Sequence, residues 1–504
     1  MIRLGGPGVT IDDVVAVARS RARVELTAEA IERLDRAREV VERLADGEPK
    51  YGISTGFGAL ATVSIPPERR RALQLALIRS HAAGMGAPVE TEVVRAMVFL
   101  RARTLAMGHS GARPVVAQAM VDLLNADITP IVPEYGSLGA SGDLAPLAHG
   151  ALALLGEGEV DHGGHRRPAA EALRAAGLSP IELAEKEGLA VTNGTDAILG
   201  MLSLSVADAT DLLRLADLTA AMTVEGLLAT PAPFAADLQE LRPHPGQAVS
   251  AANLRRLLDG SPIVASHATD DPRVQDAYSI RCTPAVHGAA RDTLDHVRRV
   301  VGWELAAAID NPMVLADGRV ESCGNFHGAP LGFAGDFLAI ALAEIGAIAE
   351  RRIDRLLDRT RSHGLPPFLA DEVGVDSGLM IGHYTAAAIA SENKRLAAPA
   401  SVDSLPTSGM QEDHVSMAWH SARKLRTMID NVRRILAVEY VSAARAIDLR
   451  TPLRPASATG AAVARLREQV PGPGPDRHLS PELAAAEELL RGGGVLDALG
   501  VSLD

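Results

Sequence analysis

MQEDHVSMAWHSARKLRTMIDNVRRILAVEYVSAARAIDLRT, residues 410–451, contains neither glycine nor proline. Those two residues interrupt helices most strongly, glycine through backbone entropy and proline through its missing N–H and a steric clash. A run of this length without either predicts one or two helices well beyond the usual three or so turns. Helical patterning of comparable reach recurs at 197–229 and 336–362. Helices this long bury their apolar stripes against one another, which predicts an all-α fold built as a bundle of long helices. Composition agrees. Aromatic residues are only 3% of the chain, so Ala, Leu, Val and Ile must fill the core, and Ala and Leu enter helices at low entropic cost.

Working outward, residues 27–46 read as a helix capped by Thr27, with Ala30, Ile31, Leu34, Ala37, Val40, Val41 and Leu44 on one face. Further helices are expected near 67–83, 91–107 and 480–494, the last with Ser480 as cap and Pro481 in its first position. Between the helices lie polar, Gly-bearing segments: YGISTGFGAL at 51–60, EYGSLGASGDLAPL at 134–147 and TNGTDA at 192–197. Loops on a rigid scaffold are where catalytic groups concentrate. The expected organisation is an N-terminal, loop-rich catalytic region at 1–196, a long-helix bundle at 197–460, and a C-terminal loop and short helix at 461–504.

The formal net charge is −13, and basic residues are interleaved with acidic ones, as in RLDRAREVVERL at 33–44. That pattern argues against a nucleic-acid partner. Cys282 and Cys323 have no CxxC neighbour and cannot make a disulfide framework. The start, MIRLGGPGVTIDDVV, lacks the basic and apolar regions of a signal peptide, and no uninterrupted apolar run reaches about 18 residues. These features predict a cytoplasmic protein without a membrane partner.

Walker and HExxH motifs are absent, and Ser391 to Lys394 match SxxK without its companion motifs. His149, His287, His327 and His414 lack metal-ligand spacing and read as packed or hydrogen-bonding histidines. The 136–147 loop has two readings. In one, Ser141 or Asp143 caps a helix beginning at Leu144 and the glycines turn the chain. In the other, the loop makes its own reagent. Attack of the Gly142 nitrogen on the Ala140 carbonyl closes a five-membered ring, and loss of two waters, one carrying the Ser141 hydroxyl oxygen, leaves 4-methylideneimidazole-5-one. Glycine suits the attacking position because no side chain blocks the approach.

With these residues in view, GSLGASGDLAPLAH at 136–149 resembles the signature of the aromatic amino acid ammonia-lyases, whose Ala-Ser-Gly forms that electrophile. The likeness extends in order through YGISTGFG at 51–58, SHAAGMG at 80–86, KEGLAVTNGTDA at 186–197, VQDAYSIRCTP at 274–284, DNPMV at 310–314, GNFH at 324–327, ASENKRLAAPASVDSLPTS at 390–408 and QEDHVSMA at 411–418. Ser80-His81 and Gln411-Glu412-Asp413-His414 are similar to the pairs of the histidine-acting members. The resemblance implies the ammonia-lyase/fumarase-like helical fold, a homotetramer with shared active sites, no external cofactor, and elimination of ammonia from an aromatic L-amino acid, L-histidine giving urocanate. It assigns Tyr51 as the base, Ala140, Ser141 and Gly142 to the electrophile, and Asn193 and Tyr278 to its flanks. Arg281 would hold the substrate carboxylate, Gln275 and Phe326 would line the pocket, and His81 and Glu412 would hold the imidazole. The pattern departs at Thr192, Gly382-His383 and Gly409-Met410. Rival readings are a 2,3-aminomutase, a lyase for another aromatic or a modified histidine, and an inactive helical scaffold.

Overall fold

The computed structural model describes residues 1–5, 8–45, 55, 63–140, 142–269, 271 and 273–504. Long helices dominate: Asp196–Gly226, Thr283–Ala306, Ala329–Leu357 and Ala418–Asp448. The fold is all-α, of the long-helix bundle type. The Gly- and Pro-free stretch yields one helix rather than two, and that helix begins at Ala418. Before it, Thr407 and Glu412 bridge across a turn in which Ser408, Gly409 and Met410 all adopt positive φ. A left-handed run of this kind cannot continue into a right-handed helix.

Local signals near the N-terminus give what they promised. Thr27 Oγ1 accepts from the Ala30 amide at 3.2 Å, and Ala28–Ala45 buries Ala30, Leu34, Ala37, Val40 and Val41. Ile31, expected on that face, is exposed. The helix expected at 336–362 is Ala329–Leu357, because Gly332 and Gly335 belong to it. A Cβ on Gly335 would stand 2.6 Å from Ser421 Oγ, and Ser421 donates to the Gly332 carbonyl at 2.7 Å, so close packing favours glycine there. The terminal helix starts at Leu479 with His478 as its flanking residue, which places Ser480 and Pro481 inside the first turn rather than at the cap. Proline is tolerated there because first-turn N–H groups lack helical partners anyway.

Short strands, too brief for alternation to show in the sequence, accompany the helices. Met85–Pro88 pairs antiparallel with Pro133–Tyr135, and Ile128–Pro130, Glu159–His162 and His165–Pro168 form a three-stranded sheet. Contacts divide the chain into two compact units. The first is Met1–Ala207, Arg298–Asp336 and Pro399–Arg423; the second is Asp208–Val297, Phe337–Ala398 and Lys424–Asp504. Two stretches, Glu187–Gly226 and Ala329–Leu357, are long and apolar enough to cross a membrane, but 100% and 61% of their apolar windows are buried in protein. Burial of that order is what core helices show.

The second unit contains a buried polar network. Asp217 accepts from His287 Nδ1 at 2.7 Å, Arg291 at 2.6 Å, Ser250 at 2.6 Å and Asn253 at 2.9 Å. Burial alone would raise the Asp217 pKa, but Arg291 and the His287 hydrogen bond bring it down to about 2. Burial lowers the His287 pKa, so the pair is a neutral imidazole donating to a carboxylate whose charge Arg291 balances. Both shifts act in the same direction. Protons bind the unfolded chain first, so stability falls as pH drops below the imidazole's ordinary 6.5 and again from the carboxylate's ordinary 3.8 towards 2. Asp217→Asn is therefore expected to lose about 3–5 kcal/mol at neutral pH and to flatten the acid limb of a melting-temperature profile. An unchanged acid limb would show that this network does not govern acid stability.

Candidate active site

The loop expected to carry the chemistry leaves the strand Pro133–Tyr135 and enters the helix Leu144–Leu154. Ser141, like Tyr51, lies outside the described residues, while Ala140 and Gly142 are buried on either side of it. The loop is clamped by its backbone. The Gly139 carbonyl accepts from the Gly328 amide at 2.9 Å and from Ser416 Oγ at 2.6 Å, and the Leu138 carbonyl accepts from the Met417 amide at 2.9 Å. Ala140 packs with Val415 and Met417. Gly328, directly after GNFH, and the segment QEDHVSMA, distant in sequence, thus grip the Gly-rich loop. Gly142 has φ +77°, and a Cβ there would overlap the Gly194 carbonyl.

Asp143, one of the two expected caps, does not cap the helix it precedes. Its carboxylate instead accepts from the Ala197 amide at 2.9 Å, the Ile198 amide at 3.1 Å and Ser137 Oγ at 3.0 Å. Asp143 therefore binds the N-terminus of Asp196–Gly226, where free N–H groups and the helix dipole favour an anion. Complete burial still drives its pKa up to about 7. The loop and the TNGTDA segment are joined again by the Asp143 amide, which donates to the Gly194 carbonyl at 2.6 Å.

Asn193 is buried at the end of the short helix Glu187–Thr192. Its Nδ2 donates to the Asn311 carbonyl at 3.0 Å and lies 3.4 Å from Asp310 Oδ1. Asp310 in turn receives Lys186 Nζ at 2.7 Å, both side chains being almost wholly buried. Arg101 binds the Asn193 carbonyl at 3.1 Å and Asp196 at 2.9 Å. Lys186, Asp310, Asp143 and Arg101 were not singled out as site residues from sequence. A charged residue beside apolar ones in KEGLAVTNGTDA and DNPMV was the available signal. Thr192, a departure from the family pattern, turns its hydroxyl to the Gly188 carbonyl at 3.0 Å and is satisfied within its own helix.

His81 ends the helix Arg70–His81 with Ser80 Oγ 3.1 Å from its Nδ1. Burial lowers the His81 pKa, and the charge of Glu412 partly opposes this, so the two side chains share one electrostatic neighbourhood. Thr407 donates to Glu412 Oε2 at 3.1 Å. Phe326 is half-buried; His327 beside it stacks on His414 with ring centroids 5.7 Å apart. All of these residues lie in the first unit.

The second unit carries Gln275, Tyr278 and Arg281 on an exposed segment. The Arg281 guanidinium covers the Tyr278 ring at 4.5 Å and its Nε donates to the Asp276 carbonyl at 3.0 Å. Among the described residues it makes no salt bridge, so its terminal nitrogens remain for a carboxylate. His383, another departure, pairs with Glu350 at 2.7 Å, which also binds Arg351.

An aromatic amino acid lyase family model matches residues 9–468. The histidine ammonia-lyase of Streptomyces coelicolor is 60% identical over 498 residues, covering 98% of this chain and 97% of that protein. The crystal structure of histidine ammonia-lyase from Trypanosoma cruzi superposes with a TM-score of 0.91 at 41% identity, over 99% of this chain and 95% of the other. A tyrosine aminomutase from Streptomyces globisporus superposes at 0.94 with 37% identity, covering 100% of both chains.

Proposed function

The chain belongs to the aromatic amino acid lyase family, and on that premise we propose that it eliminates ammonia from L-histidine to give urocanate. It is a carbon–nitrogen lyase. The observation that carries the histidine reading is the 60% identity over 498 residues to a histidine ammonia-lyase, and Glu412 supplies a carboxylate that can accept an imidazole N–H. A phenyl ring offers that carboxylate no hydrogen bond, and covering a charge without one is costly. The much higher identity to a histidine ammonia-lyase than to the aminomutase supports the lyase over the 2,3-aminomutase.

The residues present fit an electrophile made from Ala140, Ser141 and Gly142: Gly142 holds a positive φ in a place closed to any Cβ. When formed, the methylideneimidazolone supplies an acceptor for the substrate's amine. The chain supplies the rest. Tyr51 takes the β-proton, its phenol needing help from the site because a free tyrosine ionises near pH 10. Arg281 makes a two-pronged contact with the substrate carboxylate, and Gln275 and Phe326 line the pocket. Asn193 and Tyr278 place hydrogen bonds where charge develops. The exposure of Gln275 and Tyr278 suits a homotetramer in which loops of several subunits complete each site.

Incubation with L-histidine tests the reading. The expected result is the ultraviolet band of urocanate with stoichiometric ammonia; a β-amino acid seen by NMR, or ammonia only from another amino acid, overturns it. Glu412→Gln is expected to lower kcat/KM for histidine about 10- to 100-fold, the range of a lost charge-assisted hydrogen bond, while any slow release from phenylalanine changes little. Equal losses on both substrates would remove Glu412 from ring recognition.

A further inference from the structure

Asn193 is held by a chain of buried groups whose geometry admits one arrangement. Its amide nitrogen faces two acceptors, the Asn311 carbonyl at 3.0 Å and Asp310 Oδ1 at 3.4 Å. Turning the amide over would set its oxygen against both, so the orientation is forced by lone-pair repulsion. Its Oδ1 has no hydrogen-bond partner among the described residues. Asp310 is itself fixed: Oδ1 receives the Asn311 amide at 2.7 Å and Oδ2 receives Lys186 Nζ at 2.7 Å. Lys186 is fully buried, and among the described residues Asp310 is the only partner of its ammonium group. Its backbone adopts φ +71° at the head of the helix that ends beside Asn193. A non-glycine residue in that conformation is uncommon and persists where surrounding contacts over-determine it.

A buried ion pair is weak evidence for stability, since desolvation offsets much of the attraction. Apolar residues of similar size would fill the space as well for packing alone. We infer that Lys186 and Asp310 are positioning residues for the lyase reaction, locking the Asn193 side chain so that its carbonyl oxygen, and not its NH2, is presented to the reacting groups. Lys186 pins Asp310, and Asp310 pins the amide. Neither touches the substrate. The inference rests on the lyase reading given above.

Removing Lys186 alone leaves a buried unpaired carboxylate and risks unfolding, so the decisive protein is the near-isosteric double variant Lys186→Met, Asp310→Asn in the full chain. Its residue 310 keeps the oxygen that the Asn311 amide binds but loses the negative charge and the ammonium contact that pin it against Asn193. The expected kcat is about a hundred-fold lower, the cost of an ångström-scale misplacement, with KM within about twofold of the parent. Mass spectrometry of the peptide around Ser141 is expected to show the loss of two waters as in the parent. Adding Asn193→Ala to the double variant is expected to change kcat no further, because coupled residues are non-additive. A kcat within twofold of the parent, an additive loss with Asn193→Ala, or absence of the two-water loss each overturns the inference; the last moves the pair to ring formation. These ratios are measured on whichever amino acid the parent protein turns over. Failure of the parent to make urocanate therefore counts against the histidine reading and not against the positioning pair.

Discussion

Ser141→Ala yields a folded protein that releases ammonia at least about ten-thousand-fold more slowly, the scale on which removal of a covalent catalyst acts. Chemical balance dictates this outcome. Closing a ring between the Gly142 nitrogen and the Ala140 carbonyl expels one water, and the exocyclic methylidene appears only when a second water departs with the Ser141 hydroxyl oxygen. Alanine has no hydroxyl to lose, so the acceptor for the substrate amine cannot form, and an amino group is too poor a leaving group without it. Three measurements check this together. Circular dichroism is expected to match the parent, the peptide around residue 141 is expected to lack the two-water deficit, and ammonia release is expected to vanish. Turnover at the parental rate would leave the proposed electrophile without a role.

Gly142→Ala is expected to abolish the same mass deficit and to destabilise the protein as well. The residue sits at φ +77°, where a Cβ costs about 1–2 kcal/mol. That Cβ would also overlap the Gly194 carbonyl, and an overpacked core position loses a further 1–3 kcal/mol or so. Gly194 cannot retreat easily, since its carbonyl accepts from the Asp143 amide and a Cβ of its own would overlap Arg101 and Asp196. The expected outcome is a melting temperature several degrees lower, no loss of water from the peptide, and no ammonia release. A stable Gly142→Ala protein with parental turnover would show that the crowding at Gly194 is not needed for ring closure.

Much of this protein was legible in one dimension because the signals are local. A helix is announced by its cap and its breakers, so Thr27 and the Gly-free run before Thr451 point to helices without reference to the rest of the chain. The proposed ring closure at 140–142 would involve three consecutive residues, so that proposal too can be read from their order. Periodicity could not show where those helices begin when glycine serves packing, as at Gly332 and Gly335.

The partners of the buried charges were decided only in three dimensions. Asp143 looked like a cap for the helix beside it and instead binds the start of another, at Ala197 and Ile198. Lys186 and Asp310 stand 124 residues apart, and nothing in either neighbourhood names the other. A charge taken out of water must find its counter-charge and donors wherever the fold brings them. Sequence by itself therefore determined the helices and named the atoms we propose to react, through helical period and covalent neighbours, while tertiary packing alone decided how those atoms are held.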